Sequence, residues 1–298
     1  MSSLLEAHVD EYLRLRRALG FKLKEDGHLL HQLIAHVEAA GATTLSSELA
    51  IGWARLPEGV HPNQWAKRLR VARGFASYLQ TIDPATEIPP PDVFPVRRQR
   101  ATPYLFSQHD IDRLLHEARS LRRPLRAASY EALFGLLAVC GMRVGEAIAL
   151  QREDVDLEAG LITIRQSKHD RVRLVPLHPT ATDALCRYAS ERDRLCPRPR
   201  SRAFFLSSAG TAVHKSCLGA TFREITTRIG LRTEAVHPRI HDLRHRFAVQ
   251  TLIDWQRSGI KIDEHIATLS TYLGHASPAD TYWYLSLAGA DGARGGAV

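Results

Sequence analysis

Apolar residues recur at helical spacing along most of the chain and alternate in only one short region. Leu5, Val9, Tyr12 and Leu19, with Arg16 on the same face, predict a first helix that Gly20 stops. The period resumes from His28 to Ala40 through Leu29, Leu33, His36 and Val37, and Gly41 ends it. A third helix is expected from about Ser47 to Leu56, before Pro57. The fourth has the clearest stripe, with Trp65, Leu69, Ala72, Ala76 and Leu79 at i, i+4, i+7, i+11 and i+14. Lys67, Arg70, Arg73 and Ser77 lie off that stripe. A solvated polar face and a basic face laid on a polyanion account for them equally well.

The pattern breaks between residues 81 and 104. Pro84, Pro89, Pro90, Pro91, Pro95 and Pro103 exclude a helix, and Arg97, Arg98 and Arg100 add charge, as in an extended linker. Ser107-Gln108-His109-Asp110 then has capping-box character ahead of Ile111, Leu114, Leu115 and Ala118. A buried helix is expected over Ser129 to Cys140. Leu161 to Arg165 and Arg171 to Val175 alternate like two strands about a polar turn at Ser167 to Asp170. Further helices are expected at about 180–195, 215–229, 242–257, 263–273 and 278–287. The segment around Asp254 to Asp263, with Trp255, Gly259 and Lys261, reads as an extended helix end or an insertion. The fold class is therefore mainly α with a small antiparallel β-sheet (α+β). Its expected parts are a helical domain at 1–83, a Pro/Arg-rich linker at 84–104, a second domain at 105–288 and a flexible Gly/Ala tail at 289–298.

Composition narrows the class. A length of 298 residues suits two domains, and 44% apolar residues suffice for ordinary cores. The net charge of +8 points to a polyanionic partner. Lysine occurs only at 22, 24, 67, 168, 215 and 261, the other basic residues being arginine. Arginine is the better bidentate phosphate ligand, whereas lysine can surrender a proton. Cys140, Cys186, Cys196 and Cys217 have neither C-x-x-C nor framework spacing and read as small buried hydrophobes in a reducing cytoplasm. The N-terminus has no apolar signal segment and no run of eighteen apolar residues occurs, so no membrane association is expected.

The last quarter holds the candidate chemistry: His241-Asp242-Leu243-Arg244-His245, then Leu273-Gly274-His275, then Tyr284. Upstream, Gly141-Met142-Arg143-Val144-Gly145-Glu146 adds a second arginine, with Glu146 placed to orient it or simply to favour a helix start. Two arginines, two histidines and a phenol can attack a phosphodiester without a metal. Guanidinium forks match the oxygens of the charged transition state, and imidazoles donate hydrogen bonds or carry protons. Tyr282 and Tyr284 stand about 200° apart on a helix, so only one can face the site. His237, His241 and His245 have the spacing of helical metal ligands, but Pro238 interrupts them and Arg239 and Arg244 would repel a cation. No metal or cofactor is expected.

These motifs, in this order, resemble the catalytic signature of the tyrosine recombinases, the phage-integrase, Xer and Cre family. The family's spacing from the Leu-Gly-His histidine selects Tyr284, with Thr281 at the usual threonine, and leaves Tyr282 and Trp283 as packing residues. Counting back from Val175-Pro176 sets Lys168 on the family's general acid, although Ser167 and His169 replace common glycines. The resemblance implies catalysis by Arg143, Lys168, His241, Arg244, His275 and Tyr284, supported by Glu146. Tyr284 would form a 3′-phosphotyrosyl bond, His241 would handle its proton and Lys168 would protonate the leaving oxygen. It further implies a helical core-binding domain, with Lys67, Arg70, Arg73, Arg97, Arg98 and Arg100 on DNA, and a tyrosine-recombinase catalytic domain. The implied partners are double-stranded DNA with inverted-repeat core sites and a homo- or hetero-tetramer on two such sites. The chain opens in the core-binding helices, so a separate arm-binding domain is not expected. A type IB topoisomerase and a non-catalytic DNA-binding accessory protein of the same fold are the rival readings.

Overall fold

The computed structural model describes residues 3–95, 102–165, 172–275 and 277–292, with side chains as far as Leu287. The chain divides into two compact units, 1–101 and 102–298.

The first unit contains α1 (Leu4–Ala18), α2 (Lys24–Ala39), α3 (Ser47–Arg55) and α4 (Pro62–Leu79). Ser3 and Ser46 cap α1 and α3 through side-chain oxygens that accept from Glu6 N and Leu49 N. α2 starts earlier than its apolar period suggests. Glu25 and Asp26 favour its positive N-terminal end, and Gly27 lets Leu13 of α1 approach so closely that a Cβ would lie 3.2 Å from Leu13 Cδ1. Leu30, Leu33, Ile34, Val37, Trp53, Leu69, Phe75 and Leu79 form the core. The segment expected to be a linker belongs, up to Pro95, to this unit. Phe94 is buried against Trp65 with ring centroids 5.9 Å apart, and Glu87 ties back through its own N–H to Leu45 O and its carboxylate to Ser47 N. Periodicity cannot reveal this docking, because its contacts are single aromatic and polar anchors. Arg97, Arg98 and Arg100 lie outside the described residues.

The second unit opens with α5 (Gln108–Arg119), whose Ser107/Asp110 capping box is present, and α6 (Pro124–Cys140), which begins at the proline suited to a first helical position. A short α7 (Val144–Ala149) leads through a 3₁₀ turn to β1 (Val155–Asp156), β2 (Leu161–Arg165) and β3 (Val172–Pro176). The sheet is antiparallel in the order β1-β2-β3, with Ile162 opposite Val175 and Arg165 opposite Val172. Its first strand is two residues long, too short to show alternation. Then come α8 (Pro179–Leu195), α9 (Lys215–Arg228), α10 (Ile240–Arg257), α11 (Ile262–Leu273) and α12 (Ala279–Gly292). Phe106, just ahead of α5, and Phe134 of α6 both meet Phe222 of α9 in edge-to-face contacts. A separate cluster of Ala248, Val249, Leu252, Ile266, Leu269, Leu273 and Tyr284 joins α10, α11 and α12.

The segment around Asp254 to Asp263 is the end of one helix, a short turn and the start of the next rather than an inserted loop. α10 runs to Arg257 and ends in a Schellman turn: Gly259, at φ +71°, donates to Gln256 O, and Ile260 donates to Trp255 O. α12 likewise continues to Gly292, into the segment expected to be a tail. Among the described residues no helix is long and apolar enough to cross a membrane.

Candidate active site

Six of the named side chains meet where the C-terminal ends of α6 and α11 face the first turns of α7, α10 and α12. Gly141 ends α6 at φ +56°, a left-handed conformation that favours glycine. A Cβ there would lie 2.4 Å from Phe247 Cδ1, so side-chain bulk is excluded as well. Gly274 ends α11 in the same way at φ +67°. These two ends present carbonyls that no further helical turn can satisfy.

The arginines take those carbonyls. Arg244 is 2% exposed and donates from Nη1 to Gly141 O (2.7 Å) and from Nη2 to Leu273 O (2.8 Å). Arg143 donates from Nη2 to Gly274 O (2.5 Å) and from Nη1 to Glu146 Oε1 (2.8 Å). The negative ends of two helix dipoles thus offset part of the cost of bringing two cations together. That cost remains visible: burial first, and the nearby Arg143 charge second, pull the Arg244 pKa down to about 10. Arg244 is still charged at pH 7, in a setting that an added anion would relieve.

Glu146 anchors the arrangement. Its carboxylate accepts the Arg143 N–H (2.9 Å) and a bidentate pair from Arg173 of β3, at 3.0 and 2.7 Å. Burial would raise its pKa, but the hydrogen bonds from Arg173 and Arg143 outweigh burial and hold it below the usual value. Glu146 therefore ties the Arg143 corner to the strand that closes the β2–β3 hairpin. Arg173 was visible in the hairpin sequence but was not singled out. Lys168 and His169 lie outside the described residues.

The histidines differ in their environments. His275 Nδ1 is 2.7 Å from Thr281 Oγ1, a fully buried hydroxyl. Burial, then the charges of Arg244 and Arg143, bring the His275 pKa down to about 4. His241 lies at the exposed rim, where partial desolvation and Arg244 lower its pKa. Both are neutral at pH 7.

Tyr284 is 2% exposed, whereas Tyr282 is 49% exposed and so is not the packing residue it was expected to be. The Tyr284 ring lies parallel to His275 with centroids 6.1 Å apart, and its hydroxyl is 3.1 Å from His245 Nδ1. His245, not His241, is thus the imidazole on the phenol. The sequence displays His245 within the motif but gives no reason to prefer it, since a four-residue step along a helix leaves both histidines on one face. Trp283 packs on His245 at 5.2 Å. Among the described residues no group of three or more His, Cys, Asp or Glu is placed to hold a metal ion.

Of the residues expected on α4, Arg70 is exposed and Arg73 half-buried, while Lys67 pairs with Glu25 at 2.5 Å. Arg68, which drew no attention in the sequence, lies over the Trp53 ring at 3.9 Å and donates to Trp53 O.

Comparisons with known proteins agree with one another. The profile of the phage integrase family matches residues 105–290. A Sinorhizobium fredii protein, y4rB, whose name assigns it to the integrases and recombinases, is 41% identical over 96% of this chain and 93% of its own. The tyrosine recombinase XerC of Chromobacterium violaceum is 29% identical over 89% of this chain and 82% of its own. Among solved structures, the Tn1549 transposon integrase in complex with transposon right end DNA superposes with a TM-score of 0.64 at 16% identity, covering 93% of each chain. Lambda integrase, as a tetramer bound to a Holliday junction, gives 0.64 at 15% identity, covering 94% of this chain and 76% of that one. These two likenesses concern the fold.

Proposed function

The chain belongs to the phage integrase family of tyrosine recombinases, and from that premise we propose that it cuts and rejoins double-stranded DNA through a 3′-phosphotyrosyl intermediate at Tyr284. The observation that carries this reading is the convergence of Arg143 and Arg244 on one pocket beside the Tyr284 hydroxyl, with their positive charges held by helix C-termini. Such a pocket suits a phosphate diester, whose two free oxygens can each meet a guanidinium fork. As the phenol oxygen attacks, negative charge grows on those oxygens. The arginines, already fixed by carbonyl bonds, stabilise it without reorganising.

His241 and His275, neutral at pH 7, serve as hydrogen-bond donors to the same phosphate. Lys168, which falls between β2 and β3 in the sequence, protonates the departing 5′ oxygen, a task arginine cannot perform. The bond energy remains in the phosphotyrosine, so the 5′ hydroxyl of a partner strand can displace it without ATP. No cofactor or metal takes part in this scheme. Its substrate is DNA carrying inverted-repeat core sites, engaged by a tetramer that joins two such sites. The net charge of +8 and the exposed Arg70 of the first unit are in keeping with a DNA partner.

The same chemistry could relax supercoils in the manner of a type IB topoisomerase. The choice rests on the likeness to integrases and Xer recombinases. Covalent complexes captured from sheared genomic DNA and sequenced would define the site. A plasmid carrying two copies of it should then yield recombinant circles. Relaxation of plasmids lacking the site, with no recombinants from those carrying it, would refute the recombinase reading.

A further inference from the structure

Three imidazoles surround the pocket, and their bonding separates them. His275 Nδ1 is engaged with Thr281 Oγ1, and His241 stands at the exposed rim. His245 Nδ1 makes a hydrogen bond of 3.1 Å with the attacking atom, the Tyr284 hydroxyl, both residues being buried. We propose that His245 is a further catalytic residue, which takes the proton from Tyr284 as the phenol oxygen attacks phosphorus. This role rests on the phosphotyrosyl reading above and assigns within it the step that makes the phenol reactive.

Three features of the surroundings fit the role. The His245 ring is held between aromatic neighbours, with His241 edge-on at 4.7 Å, Trp283 at 5.2 Å and Tyr284 at 5.5 Å between centroids. Its orientation is thus set by packing before any substrate arrives. It also follows Arg244 directly on α10, so the rigid helix that positions the proton acceptor also positions the guanidinium meant for the phosphate. Finally, Tyr284 sits in the cluster that joins α10, α11 and α12, so the phenol is oriented by burial and has little contact with water to take its proton.

The step balances. The Tyr284 O–H bond breaks and its proton passes to His245 Nδ1, giving an imidazolium. The phenol oxygen forms the new P–O bond as the bond from phosphorus to the 5′ oxygen breaks, and that oxygen receives a proton from Lys168. Rejoining runs the sequence backwards and returns the proton from His245 to Tyr284.

The test uses the full chain under single-turnover conditions on a nicked duplex, from which the short cleaved strand diffuses away and leaves the covalent adduct trapped. General-base catalysis is worth about 10²–10⁴-fold, so His245→Phe should form adduct at least about a hundredfold more slowly than wild type. His245→Gln, which keeps a hydrogen-bonding group near the phenol, should fall between them, and it decides the matter if the phenylalanine variant does not fold.

Two chemical rescues separate this role from mere packing. A trifluorotyrosine at position 284 carries a phenol far more acidic than that of tyrosine and should recover at least tenfold of the His245→Phe loss, with little effect on a chain that retains His245. A duplex with sulfur as the bridging 5′ atom needs no acid for its leaving group. It should restore Lys168→Met and leave His245→Phe slow. Adduct formation at the wild-type rate by His245→Phe or His245→Gln would overturn the role, as would rescue of the His245 variant by sulfur but not by the fluorinated phenol. Absence of any adduct with wild type would instead overturn the phosphotyrosyl reading itself, and this role with it.

Discussion

Replacing Gly141 with alanine should damage stability and chemistry together. Two costs arise at this corner. The backbone φ of +56° is left-handed, which costs an L-residue about 1–2 kcal/mol. The new methyl would also lie 2.4 Å from Phe247 Cδ1 and 2.9 Å from its Cγ, far inside contact distance. The Phe247 ring cannot slide freely away, since Tyr272 stacks on it with centroids 5.5 Å apart and planes 23° from parallel. Overpacking of this kind costs about 1–3 kcal/mol, so Gly141→Ala should lose roughly 2–5 kcal/mol in all. The Gly141 carbonyl also holds Arg244 Nη1, so any shift of the corner moves the buried guanidinium, and adduct formation should slow as well.

Urea unfolding can be followed by Trp255 and Trp283 fluorescence in a chain whose Trp53 and Trp65 are phenylalanine. Phe247→Leu in the alanine variant should recover the overpacking share of about 1–3 kcal/mol and leave the backbone share in place. A Gly141→Ala chain within about 0.5 kcal/mol of its parent, or no relief from Phe247→Leu, would show that neither the left-handed backbone nor the Phe247 contact constrains this corner.

Glu146→Gln should destabilise the second unit by roughly 3 kcal/mol, because it leaves the mostly buried Arg173 without its counter-charge; adding Arg173→Met should recover much of that loss in the same urea titration. His275 is held near pKa 4 when folded, below its ordinary value, so the unfolded chain binds the extra proton between about pH 6.5 and 4. Its contribution is complete above that window and is lost as pH falls through it. The urea midpoint should therefore drop from pH 7 to pH 5, less steeply in His275→Asn; an equal slope in both would contradict the assignment. Tyr282→Phe should form adduct within twofold of wild type, since that ring is exposed, and a large loss would place chemistry on the wrong tyrosine.

Much of the fold was legible because its elements announce themselves by period. The α4 stripe, the α5 capping box and the β2–β3 alternation depend on residues close in sequence, and all three occur. What escaped were features fixed by single distant contacts. Phe94 docks a proline-rich segment on the first core through one aromatic ring. Arg173 reaches Glu146 across a gap in sequence that no motif spacing encodes. In the pocket the residue types could be read, but not the division of labour among histidines. His241 and His245 share a helix face, and only the packing of α12 on α10 decides which imidazole meets the phenol. Tyr284 was separated from Tyr282 by helix geometry and family spacing, and their burial differs as that geometry requires.

In the proposed reaction Tyr284 becomes covalently joined to DNA. After incubation with DNA in EDTA, nuclease digestion and proteolysis, mass spectrometry of the peptide containing Tyr282, Trp283 and Tyr284 reads the attachment point directly. A nucleotide joined through its 3′ phosphate to Tyr284, absent from Tyr284→Phe, is the expected result. Attachment to Tyr282 or another residue, an adduct that persists in Tyr284→Phe, or cleavage abolished by EDTA would rule out metal-free attack by Tyr284.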